Sequence, residues 1–149
     1  MALTLQEISD RLEIQDLLVR YSHCIDTQNI DALDDIFTPD AFIDYSAFGG
    51  STGDLEHTKA FLKKSLAMFK SSQHMISNIM LEIHGDTATG RTICHNPMVL
   101  GTGDEENVFV CGLWYVDELV RTDAGWRIRK RSEDRSFIDG MPESFEVAK

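Results

Sequence analysis

Tyr21 and, five residues on, Asp26 close an apolar stripe, and a histidine follows far along the chain at His74. These residue types suit one chemistry. Eliminating water across a carbon–carbon bond needs a base for the proton next to a carbonyl and an acid for the departing hydroxyl. Neutral imidazole suits the base, because its ordinary pKa of about 6.5 lies near working pH. A buried carboxylate on the other ring nitrogen fixes the tautomer and stabilises the imidazolium that forms. Such acid–base help is typically worth about 10²–10⁴-fold in rate. A tyrosine hydroxyl can donate to the developing enolate oxygen or to the leaving group. Asp26, His74 and Tyr21 (or Tyr45) supply that set, and the chemistry requires no metal and no organic cofactor.

Each of these residues also has a plainer reading. His74 could be a strand-end histidine bonded to a backbone carbonyl, Asp26 a capping residue of the bend Asp26–Asn29, and Tyr21 a core residue. On a continuous helix, five residues at about 100° each leave Tyr21 and Asp26 about 140° apart. They converge only if the helix loosens near Asp26 or the site lies beyond its end. Tyr45, Phe48, Asn96 and Tyr115 are expected to line the pocket. His74, His84 and His95 lack the close spacing of a zinc site. No G-x-S-x-G elbow is present and no thiol has a basic setting, which argues against a serine or cysteine nucleophile.

The elements that must position these residues follow from periodicity. Ile14, Leu17, Leu18, Tyr21 and Ile25 recur at helical steps, and Thr4 with Glu7 fits a capping box, so a helix is expected from Leu5 to about Ile25. A short helix fits Ile30 to Phe37, N-capped by Asn29 and stopped by Thr38-Pro39-Asp40. A strand is expected from Ala41 to Ser46, a flexible connection from Phe48 to Gly53 at the pocket mouth, and a third helix from Asp54 to Lys70 with Lys59, Lys63 and Lys64 in water. Beyond Ser72, Gln73–His84, Thr87–Leu100, Val108–Arg121 and Trp126–Ser136 read as strands joined by glycine-bearing turns, an antiparallel meander. Arg91 and the run Arg127, Arg129, Lys130 and Arg131 read as the solvated face of strands, and Asp139–Lys149 as a surface arm or oligomer contact. Helices first and strands last make an α+β fold, with helices packed on one face of a curved sheet.

Composition narrows the class. A chain of 149 residues is expected to be one domain with a real core. Acidic residues outnumber basic ones, 25 to 14, and a net charge of −11 argues against a nucleic-acid partner. No apolar run approaches the roughly 20 residues of a membrane span, and the acidic, polar N-terminus does not read as a secretory signal. Cys24, Cys94 and Cys111, odd in number and without a CxxC, read as buried thiols in a reducing, cytoplasmic setting.

The strings RLEIQDLLVRYSHCID, FTPDAFIDY, SSQHMISN, DTATGR and GWRIRKR, at their present spacings, resemble the SnoaL-like branch of the nuclear transport factor 2-like superfamily. That branch includes scytalone dehydratase, bile-acid 7-dehydratase and hexachlorocyclohexane dehydrochlorinase. The resemblance spans roughly Ile8 to Arg131 and implies a cone of three N-terminal helices packed on a strongly curved, mostly antiparallel sheet. It places the family's catalytic aspartate on Asp26, its histidine on His74, and its tyrosines on Tyr21 and Tyr45. The chain departs from the pattern at Asn96, where bile-acid dehydratases carry aspartate. It departs also at Thr92 and Ile25, where the scytalone enzyme has a histidine and a tyrosine. Relatives of this fold assemble as dimers or trimers, which implies a homo-oligomer. Two function classes stand. One is a cofactor-independent lyase or isomerase acting on a small, hydrophobic, ring-bearing substrate; the other is a non-catalytic ligand-binding or dimerisation module on the same cone.

Overall fold

The computed structural model describes residues 2–101 and 105–143. Helix α1 runs Leu5–Asp26 and buries Ile14, Leu17, Leu18, Tyr21 and Ile25 along one stripe. Its start is the expected capping box: Thr4 Oγ1 accepts the Glu7 N–H at 3.2 Å, and the Glu7 carboxylate accepts the Thr4 N–H at 2.7 Å. Its end is closed by Gln28 in a left-handed conformation, φ 56°. The Gln28 and Asn29 N–H groups return to the carbonyls of Ile25 and Cys24 at 3.0 and 2.9 Å. That closure, normally made with glycine, stops the helix sharply. Asp26 is therefore its last residue, held at a fixed angle.

The short helix expected over Ile30–Phe37 is a 3₁₀ helix of about two turns, Ile30–Asp35, and Asn29 serves it with its backbone carbonyl, which accepts the Ala32 N–H, and not with its side chain. So short a segment closes i→i+3 bonds more readily than a full α turn. Strand β1 is Phe37–Asp44, four residues ahead of the expected start, because Pro39 falls where the pairing with the last strand is irregular and no ladder donor is missed. The glycine-bearing stretch after it holds a 3₁₀ turn, Ser46–Phe48, and strand β2, Thr52–Asp54, which pairs back on β1. Helix α2 is Leu55–Leu66, N-capped by the Asp54 carboxylate. It stops four residues short of Lys70, since Phe69–Ser72 forms strand β3 on the sheet.

Strands β4 (Met75–His84), β5 (Thr87–Leu100), β6 (Asn107–Thr122) and β7 (Gly125–Asp139) complete the expected meander. The strand order is β2-β1-β7-β6-β5-β3, with β4 also paired to β5, and every pairing is antiparallel except β1 with β7. One edge of β5 is shared in succession by β4 and β3, so the sheet curls strongly and the helices fill its hollow. This is the α+β cone with a mixed, mostly antiparallel sheet. Residues 102–104 of the loop after Gly101 and the last six residues of the expected arm lie outside the described residues. No helix among the described residues is long and apolar enough to cross a membrane.

Two lysine and arginine assignments are corrected by the packing. Lys59 is buried, not in water, with its ammonium on Asp34 and Glu56 at 2.8 and 3.0 Å. Arg131 is fully buried, not on a solvated strand face. The β6–β7 register passes from Glu118↔Lys130 directly to Leu119↔Ile128, so Arg129 is an inserted bulge residue. The insertion reverses the in–out parity, and both Ile128 and Arg131 point inward.

A second polar clasp secures α1 to the β6–β7 turn. Asp10, only 2% exposed, accepts Arg121 Nη1 and Nη2 at 2.6 and 2.8 Å and Trp126 Nε1 at 3.1 Å. The Arg121 hydrogen bonds lead in holding the Asp10 carboxyl far below the usual carboxylate range. Asp10→Asn is expected to lower the unfolding free energy by about 2 kcal/mol in denaturant titrations, the scale of a hydrogen bond to a charged group. A carboxyl with a depressed folded pKa stabilises above its unfolded value, about 3.9. That stabilisation is lost as pH falls through the folded value. The gap between wild type and variant is therefore steady near neutrality and narrows in acid.

Candidate active site

The sharp end of α1 aims Asp26 at the link between β3 and β4. Asp26 Oδ1 accepts Ser72 Oγ at 2.9 Å and faces His74 Nδ1 at 2.6 Å, while Oδ2 accepts the His74 backbone N–H at 2.9 Å. Burial pushes the Asp26 carboxyl upward, but hydrogen bonds from the His74 ring, the His74 backbone and Ser72 outweigh it and hold the group below the usual range. A carboxylate on Nδ1 makes that nitrogen the donor and leaves the lone pair on Nε2. Asn96 Nδ2 lies 3.1 Å from Nε2, and Asn96 Oδ1 is buried without a partner among the described residues.

His74 lines a cavity of about 130 Å³ in the hollow of the cone. Its floor is aromatic and hydroxylic. Tyr21, Tyr45 and Tyr115 are each 5% exposed or less, and the Tyr21 and Tyr45 hydroxyls are 2.7 Å apart. The Arg131 guanidinium lies 4.2 Å from the Tyr21 ring centroid and 4.0 Å from that of Tyr115, a cation between two π faces. Its charge is matched by Asp117, which accepts Nε and Nη2 at 2.7 and 2.8 Å. Burial raises all three phenols above the usual tyrosine value, so they remain protonated donors. The rest of the lining is largely apolar, with Phe48, Phe61, Leu62, Leu66, Met68 and Met141.

Of the residues singled out in the sequence, His74, Tyr21, Tyr45, Phe48, Asn96 and Tyr115 all line this cavity. Asp26 does not line it; it stands behind His74. Helix α1 stays regular through Asp26, so Tyr21 and Asp26 diverge as the 140° geometry demands, and the tyrosine reaches the site through the floor. His95 is exposed on the other face of β5 from Asn96, as strand alternation requires. Burial pushes the cysteine thiols at Cys94 and Cys111 up to about 12 and about 11, which leaves neither as a nucleophile at neutral pH. Among the described residues no three His, Cys, Asp or Glu side chains gather as a metal site. Two polar groups of the interior escape a sequence reading, Arg131 and Glu133. Both face inward only because of the bulge at Arg129, for which the local sequence carries no signal.

The uncharacterized protein Rv2910c of Mycobacterium tuberculosis is 51% identical over 135 residues, 91% of each chain. A candidate aromatic ring hydroxylase from Novosphingobium aromaticivorans superposes with a TM-score of 0.80 at 30% identity, over 90% of this chain and 94% of that one. A candidate scytalone dehydratase from the same organism superposes at 0.79 and 19% identity, over 95% and 92%, a likeness of fold. The family model for the SnoaL-like domain matches residues 6–132. With that match across most of the chain, and the cone and its tyrosine-floored hollow as its setting, the protein belongs to the SnoaL-like domain family.

Proposed function

We propose that the chain is a lyase or isomerase that removes a proton next to a carbonyl group of a small, apolar, ring-bearing substrate, using groups of its own. The observation that carries this reading is the 2.6 Å contact between Asp26 and His74 Nδ1, with His74 on the cavity wall and its opposite ring nitrogen met by Asn96 of the same wall. A binding module has no need of a paired carboxylate and imidazole, which favours the enzyme over the alternative of a passive ligand pocket.

In the reaction, His74 Nε2 takes the proton from the carbon, and the electron pair left behind spreads onto the carbonyl oxygen. The Tyr21–Tyr45 pair meets that oxygen. One hydroxyl donates to the other, and the remaining proton is free for the ligand. Arg131 behind the rings favours the negative charge as it develops. Asp26 stabilises the imidazolium and holds its tautomer. Asn96 suits both states of the ring. At rest its Nδ2 donates to the bare Nε2, so the amide swings aside as the substrate C–H arrives, and a half-turn then brings the unpartnered Oδ1 to accept from Nε2–H. Collapse of the enolate then expels a leaving group or accepts the proton at another carbon. The apolar lining and a volume close to the roughly 150 Å³ that takes a benzene suit a single ring.

Deuterium uptake at the carbon next to the carbonyl, followed by proton NMR on cyclic ketones in heavy water, reads the first step directly. The wild-type chain is expected to accelerate uptake. His74→Ala and Asp26→Asn are each expected to lower that acceleration by about 10²-fold or more in a chain that stays folded, Asp26→Asn losing about 2 kcal/mol of unfolding free energy with its charged hydrogen bonds. Variants that exchange as fast as wild type would remove His74 and Asp26 from the reaction. Tyr45→Phe is expected to lower the same rate by about 10²-fold and the unfolding free energy by about 1 kcal/mol, one buried hydrogen bond.

A further inference from the structure

Glu133 brings a carboxyl to the cavity wall that the steps above leave without a task. It lies opposite Tyr115 in the β6–β7 ladder and two residues beyond Arg131, on the inward face that the bulge creates. Among the described residues no hydrogen bond from the protein reaches its carboxyl, and the nearby guanidinium of Arg131 is already engaged by Asp117. Part of its surface is the cavity wall itself, so a half-buried group is still enclosed by protein.

The titratable and charged groups around it come from every neighbouring element. They are Tyr21 of α1, Asp44 and Tyr45 of β1 and the turn after it, and His74 on the cavity wall. Cys94 of β5, Cys111, Tyr115 and Asp117 of β6, and Arg131 and Arg135 of β7 complete the set. Burial dominates. It pushes Glu133 up to about 8, with Arg131 opposing and Asp44 assisting. A carboxyl that is protonated near neutrality and has no internal partner is free to give its proton to a ligand.

Resting on the reading of His74 as base, we infer that Glu133 is the acid of the same reaction and delivers its proton to a departing oxygen. His74 Nε2 takes the C–H proton, and that bond's electron pair becomes the new C=C bond. The C–O bond breaks with its pair to oxygen, the Glu133 proton joins that oxygen, and water leaves. The imidazolium then returns its proton through water to the Glu133 carboxylate, and both groups are reset. Chloride leaves as a stable anion and needs no proton, whereas hydroxide leaves only as water. A proton donor on this wall therefore selects a β-hydroxy carbonyl compound over a β-halo one.

Carbon-13 NMR of protein labelled at the glutamate side-chain carboxyl tests the inference without any substrate. The Glu133 resonance is the one absent from Glu133→Gln, and its expected titration midpoint is about 8. A midpoint in the ordinary glutamate range, about 4.3, overturns the inference whatever the turnover. Rates on 3-hydroxycyclohexanone and 3-chlorocyclohexanone, which both yield cyclohex-2-enone, add a second readout. Glu133→Gln is expected to lower the hydroxy-to-chloro rate ratio by about 10²-fold, and the wild-type hydroxy rate is expected to fall above pH of about 8. A ratio equal to wild type in Glu133→Gln overturns the role of Glu133. If His74→Ala lowers both rates in that case, the base assignment stands on its own.

Discussion

One carboxylate ties the end of a helix to the start of a strand 48 residues away, and the hollow of the cone is arranged around that tie. Asp26 takes a backbone N–H, a hydroxyl and a ring nitrogen at once. A partly buried carboxylate must be satisfied in this way, because taking a charge from water is costly unless hydrogen bonds replace the hydration. The three bonds do mechanical and chemical service together. They dock the last turn of α1 on the β3–β4 link, and they fix the imidazole with one nitrogen held by the carboxylate and the other left to Asn96 and the cavity side. The left-handed Gln28 belongs to the same arrangement. It ends the helix directly after Asp26, and its side chain reaches the Leu66 carbonyl at the end of α2.

The floor of the cavity meets the same constraint in a drier place. A guanidinium with no exposed surface survives there because Asp117 matches it through two bonds and two aromatic rings face it. Buried ion pairs of this kind contribute little net stability over apolar packing, so their value lies in what they do to neighbours. Arg131 places positive charge behind three neutral phenols, where an oxyanion would be received. Glu133 lies near the same cation yet stays on the protonated side of neutrality, since burial outweighs an arginine that is already paired.

Much of the scaffold was legible in the residue order. The capping box at Thr4 and Glu7, the stripe ending at Tyr21 and Ile25, and the alternating runs separated by glycine turns specify α1 and the meander through local periodicity. What was not legible is non-local. Phe69 and Lys70 read as the tail of a helix until β5 offers a strand edge, and tertiary pairing then overrides propensity. Lys59 sits at a helical position that looks solvated, but Asp34 of the 3₁₀ turn folds over it. The inward turn of Arg131 and Glu133 depends on a single inserted residue in β7, and no composition rule marks which residue of Arg127–Arg131 will bulge. Of the site, the pairing of Asp26 with His74 was foreshadowed by the family resemblance more than by spacing. The carboxyl that does line the cavity, Glu133, was invisible without the register.

The tautomer of His74 bears most directly on the proposed chemistry. Long-range proton–nitrogen NMR of the histidine rings, assigned with His74→Ala and recorded well above the usual imidazole pKa of about 6.5, reads which nitrogen carries the proton. A proton on Nδ1, shifted downfield by its hydrogen bond and lost or displaced in Asp26→Asn, is the predicted result. A proton on Nε2 in the wild-type chain, or a His74 ring indifferent to Asp26→Asn, would contradict a base presented to the cavity by a carboxylate behind it.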